Sequence, residues 1–197
     1  MGTGRAEVQA KGLPQRLKPI IVRPRVARLE VVPFPVPALG VARLQCGNRV
    51  KIRPAIAADI PALMGLEKHA VTAAHWSRQQ YDAIFSQPRP RRVALVIEEE
   101  LAVQGFLVGR VLEGEWEIEN IAIAGSARRR GLGTRLLGEF LDLARAQGSE
   151  AVFLEVRESN QAARSLYEKW GFLEGGRRPR YYHDPEEDAI VYRMEFH

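Results

Sequence analysis

A chain of 197 residues with 46% hydrophobic and 27% charged side chains can bury a real core, which excludes full-length disorder and a disulfide-dependent scaffold. Its one cysteine, Cys46, allows neither an intramolecular disulfide nor a cysteine-based zinc site, and no apolar run approaches the roughly 20 residues of a bilayer span. The formal net charge of +5 is uneven: residues 1–50 carry nine basic side chains against Glu7 and Glu30, so the rest of the chain is slightly acidic. A nucleic-acid reading drawn from overall basicity would therefore be reading the N-terminal segment alone. That segment has charge but no apolar stretch behind it, which argues against a secretory signal and predicts a soluble, cytoplasmic protein.

In chain order, residues 1–48 hold Pro14, Pro19, Pro24, Pro33, Pro35 and Pro37. They read as a basic, proline-rich flexible arm, extended where Pro33, Pro35 and Pro37 alternate. Contact of this arm with RNA or an acidic surface is the functional alternative. A folded domain is expected over 49–197. Val50-Lys51-Ile52-Arg53 alternates as a short strand that Pro54 ends. Asp59 is placed to cap a helix carrying Ile60, Leu63, Met64 and Leu66, with Pro61 in its first turn. Ser77 opens a second helix covering 80–85, before Pro88-Arg89-Pro90. Strands are expected over 93–97, 101–111 and 116–123. An amphipathic helix over 131–147 carries Leu132, Leu136, Leu137, Phe140, Leu141 and Leu143, and Gly148 closes it. A strand over 151–156, a helix over 160–170, and strands around Phe172 and over 189–196 complete the pattern. A three-strand meander leading into two β-α units predicts a mixed α/β (α+β) fold.

The segment Ile121-Ala122-Ile123-Ala124-Gly125-Ser126-Ala127-Arg128-Arg129-Arg130-Gly131-Leu132-Gly133-Thr134 carries the most chemistry. A buried strand enters a basic, glycine-bearing turn that opens a long helix, aiming backbone N–H groups and the positive helix end at one point. Gly131 and Gly133 allow close approach, and the ligand predicted there is a pyrophosphate. The Gly-Lys-Ser/Thr ending of a P-loop is absent, and Gly138 lies five residues after Gly133 where a dinucleotide fingerprint needs three.

The R-x-x-G-x-G pattern after a strand resembles the coenzyme A loop of the GNAT acyl-CoA N-acyltransferase superfamily. A second block adds to the likeness. Leu154-Glu155-Val156-Arg157-Glu158-Ser159-Asn160, with Leu166-Tyr167-Glu168-Lys169-Trp170-Gly171-Phe172, is similar to that family's strand, asparagine cap and L-Y-x-x-x-G-F helix end. With Arg180-Tyr181-Tyr182 and Glu187-Asp188-Ala189-Ile190, the chain looks most like the ribosomal-protein-alanine N-acetyltransferase branch. The resemblance covers about 50–197 and does not reach residues 1–48.

The resemblance implies a central sheet that is mostly antiparallel and splayed in the middle, with helices on both faces. It also implies acetyl-CoA as the acyl donor, held by Ile121, Ala122, Ile123, Arg128, Arg129, Arg130, Gly131, Leu132, Gly133, Thr134 and Asn160. In the same family likeness, Glu155 would be the general base and Tyr167 the acid that protonates the thiolate. A carboxylate in the apolar run Val152-Phe153-Leu154 is either raised by burial or turned to a cleft, and both suit a base. Glu119 and Glu117 on the preceding strand are its rivals. Tyr181 and Tyr182, in a loop with Arg177, Arg178, Arg180 and His183, would help form the acceptor site, as would Glu119. The acceptor would be a peptide or protein N-terminus such as a ribosomal protein's, with neither DNA nor a membrane as partner. A small-molecule amine acceptor and a non-catalytic acyl-CoA or RNA-binding module are the alternatives. His69, His75 and His197 show no ligand spacing, so no metal is expected, and Cys46 has no partner base.

Overall fold

The structure, a computed structural model, describes residues 50–70, 74–87 and 91–197. The arm expected over 1–48, Cys46 and the break expected at 88–90 lie outside the described residues. Seven strands run as β1 (Val50–Pro54), β2 (Arg92–Glu99), β3 (Ala102–Leu112), β4 (Glu115–Ile123), β5 (Ala151–Arg157), β6 (Leu173–His183) and β7 (Glu186–Glu195). Among the described residues four α-helices accompany them: α1 (Ile60–Lys68), α2 (Arg78–Ser86), α3 (Leu132–Ala146) and α4 (Gln161–Lys169). The elements keep the predicted order, and the fold is mixed α/β.

One sheet contains all seven strands in the order β1-β2-β3-β4-β5-β7-β6. Every neighbouring pair is antiparallel except β4 with β5, which is parallel because α3 carries the chain across between them. Helices cover both faces, so central strands are apolar on both sides. On β2, Leu95 and Ile97 join Leu136, Phe140 and Tyr167 on the α3 and α4 side. Ala94 and Val96 turn to Ile60, Leu63, Tyr81 and Ile84 on the α1 and α2 side. Gly109 on β3 lets α3 sit close, because a Cβ there would lie 2.4 Å from Phe140 Cζ. Phe140 in turn packs edge-on to Trp116 at 5.2 Å.

The helix ends obey local chemistry. Gly148, with φ 71°, closes α3: its N–H reaches the Arg145 carbonyl and that of Ser149 reaches Ala144, both orphan acceptors of the last turn. Ser77 accepts from Gln80 N at the start of α2. Asp59 corrects the expectation. It occupies the N-cap position of α1 but makes no cap bond to that helix, since its carboxylate takes a bidentate pair from Arg53 at 2.7 and 2.9 Å and the N–H of Ile56, ahead of the 3-10 turn before α1, at 2.8 Å.

Two irregularities shape the middle and the edge of the sheet. On β4 the simple alternation breaks at Glu119, which has no partner between Ile118↔Gly109 and Asn120↔Val108. This bulge puts Trp116 and Ile118 on the same face as Ile121 and Ile123, and turns Asn120 and Ala122 toward α1. The second correction concerns Tyr181, Tyr182 and His183, which lie on β6 and not in a loop. An edge strand tolerates Pro179 and glycines that a central strand would not, and the run from Gly175 to Arg180 therefore resembles a loop in sequence.

Candidate active site

β4 and β5 pair only from Glu115↔Ala151 to Ile118↔Leu154. Beyond that point the strands part, and a cleft of about 730 Å³ opens between them. It is lined by Glu119, Ile121, Ala122 and Ile123 on one side and Glu155, Val156 and Arg157 on the other, with Arg128, Arg129, Gly131, Leu132, Gly133 and Thr134 at the start of α3. Asn160 and Tyr167 of the α4 segment close one wall, and His69, Ala70 and Ala74 form part of another. Ile121, Ala122 and Ile123 pair with β3 along one edge only, so their other edge faces the gap.

The turn before α3 is concave and opens on the cleft. Arg129 and Gly131 both have left-handed backbone, φ 58° and 79°, which gathers successive N–H groups into a concavity at the helix N-terminus. No atom lies within 4 Å of where a Gly131 Cβ would stand, so the glycine answers a conformational need and leaves space for a ligand. Arg128 Nε donates to the Ile123 carbonyl at 3.2 Å, fixing the turn to the end of β4. Of the three arginines, Arg130 stands outside the lining, its guanidinium on Glu99 at 2.7 and 2.9 Å.

Asn160 caps α4, its Oδ1 accepting from Ala163 N at 3.2 Å, and two turns on Tyr167 reaches the same cleft. The Tyr167 ring packs on Phe172 and Tyr192 at 5.8 and 6.1 Å. Burial pushes its phenol up, with a smaller contribution from Tyr182, so the group carries its proton at neutral pH.

The three carboxylates expected as candidate bases are held differently. Glu155 is the first β5 residue past the parting of the strands, and Arg178 Nη2 lies 2.9 Å from its Oε1; burial first, then the nearby Glu155 carboxylate, push the Tyr181 hydroxyl up. Glu119 also lines the cleft, held by Arg92 at 2.7 and 3.1 Å. Glu117 stands outside the lining, paired with Arg110 at 2.7 Å, and burial raises its proton affinity. Tyr182 lines the cleft beneath the Arg157 guanidinium, 4.2 Å from the ring centre, and burial together with the Glu155 charge pushes its hydroxyl up to about 12. Tyr181 stands just behind the lining, edge-on to Tyr182 at 5.1 Å.

Sequence reading does not single out Arg92 or Arg178, each more than twenty positions along the chain from the carboxylate it holds. No local signal could have pointed to either pair, because each spans an intervening strand of the sheet. It also passes over Glu67, a buried carboxylate on α1 that accepts from Asn120 Nδ2, Tyr81 Oη and Trp76 N at 2.7, 2.8 and 2.9 Å. This network ties the wall around Ala70 and Ala74 to the bulge of β4. Among the described residues no group of three or more His, Cys, Asp or Glu is placed to hold a metal ion, and no helix is long and apolar enough to cross a membrane.

The split parallel pair, the glycine turn at the start of α3 and the Tyr167 phenol thus share one cleft. The Acetyltransferase (GNAT) family matches residues 61–172, more than half of the chain. The chain belongs to the GNAT acetyltransferase family. A [ribosomal protein bS18]-alanine N-acetyltransferase of Salmonella typhimurium is 35% identical over 135 residues, 68% of this chain and 88% of that protein. The crystal structure of the ribosomal-protein-S18-alanine N-acetyltransferase from Escherichia coli superposes with a TM-score of 0.67 at 30% identity, covering 75% of this chain and 94% of that one. An uncharacterized protein of Mycobacterium leprae is 48% identical over 81 residues, 41% of this chain but only 22% of that longer protein.

Proposed function

We propose that the protein transfers an acetyl group from acetyl-CoA to the α-amine of a protein N-terminus, an alanine-initiated ribosomal protein being the acceptor class and the cytoplasm the setting. Residues 49–197 would form the catalytic domain, and residues 1–48 an appended basic arm. The observation that carries this reading is the convergence of Glu155, Tyr167 and the α3 turn on one cleft where β4 and β5 part. The names of the Salmonella and Escherichia relatives support the acceptor class.

The residues fit the donor. The Arg129–Gly131 concavity, with Arg128 beside it, would hold the pyrophosphate, and the free edge of Ile121, Ala122 and Ile123 would take the pantetheine amides as an added strand takes its partner. When bound, acetyl-CoA supplies a thioester whose carbonyl carbon takes the new C–N bond while its C–S bond breaks. No covalent enzyme adduct is needed once amine and thioester share the cleft. The acceptor nitrogen sheds two protons. One leaves to solvent through Glu155; the other restores Tyr167, whose phenolic proton has passed to sulfur.

The test is release of free thiol from acetyl-CoA by the purified chain. Turnover is expected with an alanine-initiated peptide and none with the same peptide blocked at its N-terminus. Faster turnover of free amino acids or polyamines than of the peptide would replace the reading with a small-molecule acceptor. No thiol release with any acceptor would return the chain to a non-catalytic binding module.

A further inference from the structure

Glu155 carries a cationic partner that occupies the carboxylate an incoming amine would have to approach. Arg178 Nη2 stands 2.9 Å from Glu155 Oε1, with Tyr181 close enough for the Glu155 carboxylate to push its hydroxyl up. The contact is constructed by the backbone. The β6–β7 register shifts between Arg178↔Ala189 and Tyr182↔Glu187, so four residues of β6 span two of β7. Arg180 sits in this bulge with φ 51°, its N–H held by Asp188 at 2.8 Å, and Asp188 also receives Arg177 at 3.3 Å. The bulge lets Tyr181 reach Glu155 from the same strand as Arg178, where strict alternation would turn one of them away.

The two partners of the ion pair are unequal. The Glu155 side chain is 13% exposed and fixed in mid-strand; that of Arg178 is 39% exposed at the end of a long stem on an edge strand. Arg178 can swing into water at small cost, and Glu155 cannot follow. The β4 carboxylates offer no substitute cation, since Glu117 and Glu119 are themselves held by Arg110 and Arg92.

We propose that Arg178 is a specificity-determining counter-ion which the acceptor's N-terminal ammonium must replace on Glu155. Cation is exchanged for cation, and the acceptor's amine comes within reach of the carboxylate only after its ammonium has displaced the guanidinium. Acceptors that arrive as cations are thereby selected, and in their absence the base stays blocked. This rests on Glu155 being the base.

The experiment measures KM for an alanine-initiated peptide at saturating acetyl-CoA, over a range of salt, in the full chain and in Arg178→Met, Arg178→Lys and Glu155→Gln. In the parent the swap of one cation for another leaves KM nearly independent of salt. In Arg178→Met the ammonium meets a bare carboxylate. Its KM should fall about fivefold at low salt, the worth of a half-exposed ion pair, without a matching fall in kcat, and should then climb steeply as salt screens the attraction. Arg178→Lys should restore the parent's KM and its flat salt profile. An unchanged or raised KM in Arg178→Met, with the parent's salt profile, overturns the exchange, and if Glu155→Gln is inactive it leaves the base reading standing. Full activity of Glu155→Gln overturns both.

Discussion

Glu67 is 2% exposed and meets no cation among the described residues, yet three donors converge on it. Truncating it to alanine removes one carboxylate and strands the Trp76 N–H, the Tyr81 hydroxyl and the Asn120 amide in the α1 side of the core. A buried donor left without an acceptor costs about 1–3 kcal/mol. The three are neighbours and relax together, so the expected loss is about 3–5 kcal/mol, a large share of the 5–15 kcal/mol that holds a domain of this size. Glu67→Gln should behave otherwise. Its carbonyl can still accept from Trp76 and Tyr81, and the Asn120 amide can flip to accept from its NH₂, so about 1 kcal/mol is expected. Urea unfolding with a common m-value measures both. Because Asn120 and Trp76 join the wall around Ala70 and Ala74 to the β4 bulge, away from the α3 turn, Glu67→Ala should also raise the acceptor KM more than the Kd for acetyl-CoA. A loss below 1 kcal/mol in Glu67→Ala, or equal losses in the two variants, would refute the role given to the three donors.

Acetyl-CoA at a hundredfold excess over Kd should stabilise the chain by about 2.7 kcal/mol in thermal unfolding, and Gly131→Val should abolish that shift, since a β-branched residue resists φ 79° and fills the anion cradle; a full shift in the variant would rule the turn out. Glu155→Gln should lower turnover by a factor of about 10² to 10⁴ with acetyl-CoA binding intact. A larger loss in Glu119→Gln would move the base to β4. Tyr167→Phe should keep the fold and lose turnover at every pH, because the deficit is in protonating sulfur. Arg53 first, then the Ile56 N–H, hold Asp59 below the ordinary carboxylate range against its burial, so its contribution is present above about pH 4, the unfolded value, and is lost as pH falls through the lower folded value. Asp59→Asn should therefore be about 1–3 kcal/mol less stable than the parent at pH 7, with the gap closing below pH 4; a gap that persists in acid would assign the loss to packing.

Local chemistry made part of this protein legible from its residues alone. The order of strands and helices, the Ser77 and Gly148 helix ends, and the strand, glycine turn and helix of 121–134 all depend on residues within a few positions of one another. So does the pairing of Asn160 with Tyr167 on one wall, which two turns of a single helix impose. Whatever depends on register between distant strands needed the folded sheet. Alternation along 116–123 gives no sign that Glu119 bulges, because the bulge exists only against Gly109 and Val108 of β3. Prolines and glycines make β6 look like a loop, and only its place at the sheet edge makes it a strand. Asp59 has the position of a cap and is taken instead by Arg53, a stronger partner brought alongside by β1. The ion pairs that hold Glu119 and Glu155, and the donors that converge on Glu67, join residues 9 to 53 positions apart. A carboxylate's neighbours set its chemistry, and for these three the neighbours are supplied by the sheet and the helices packed on it.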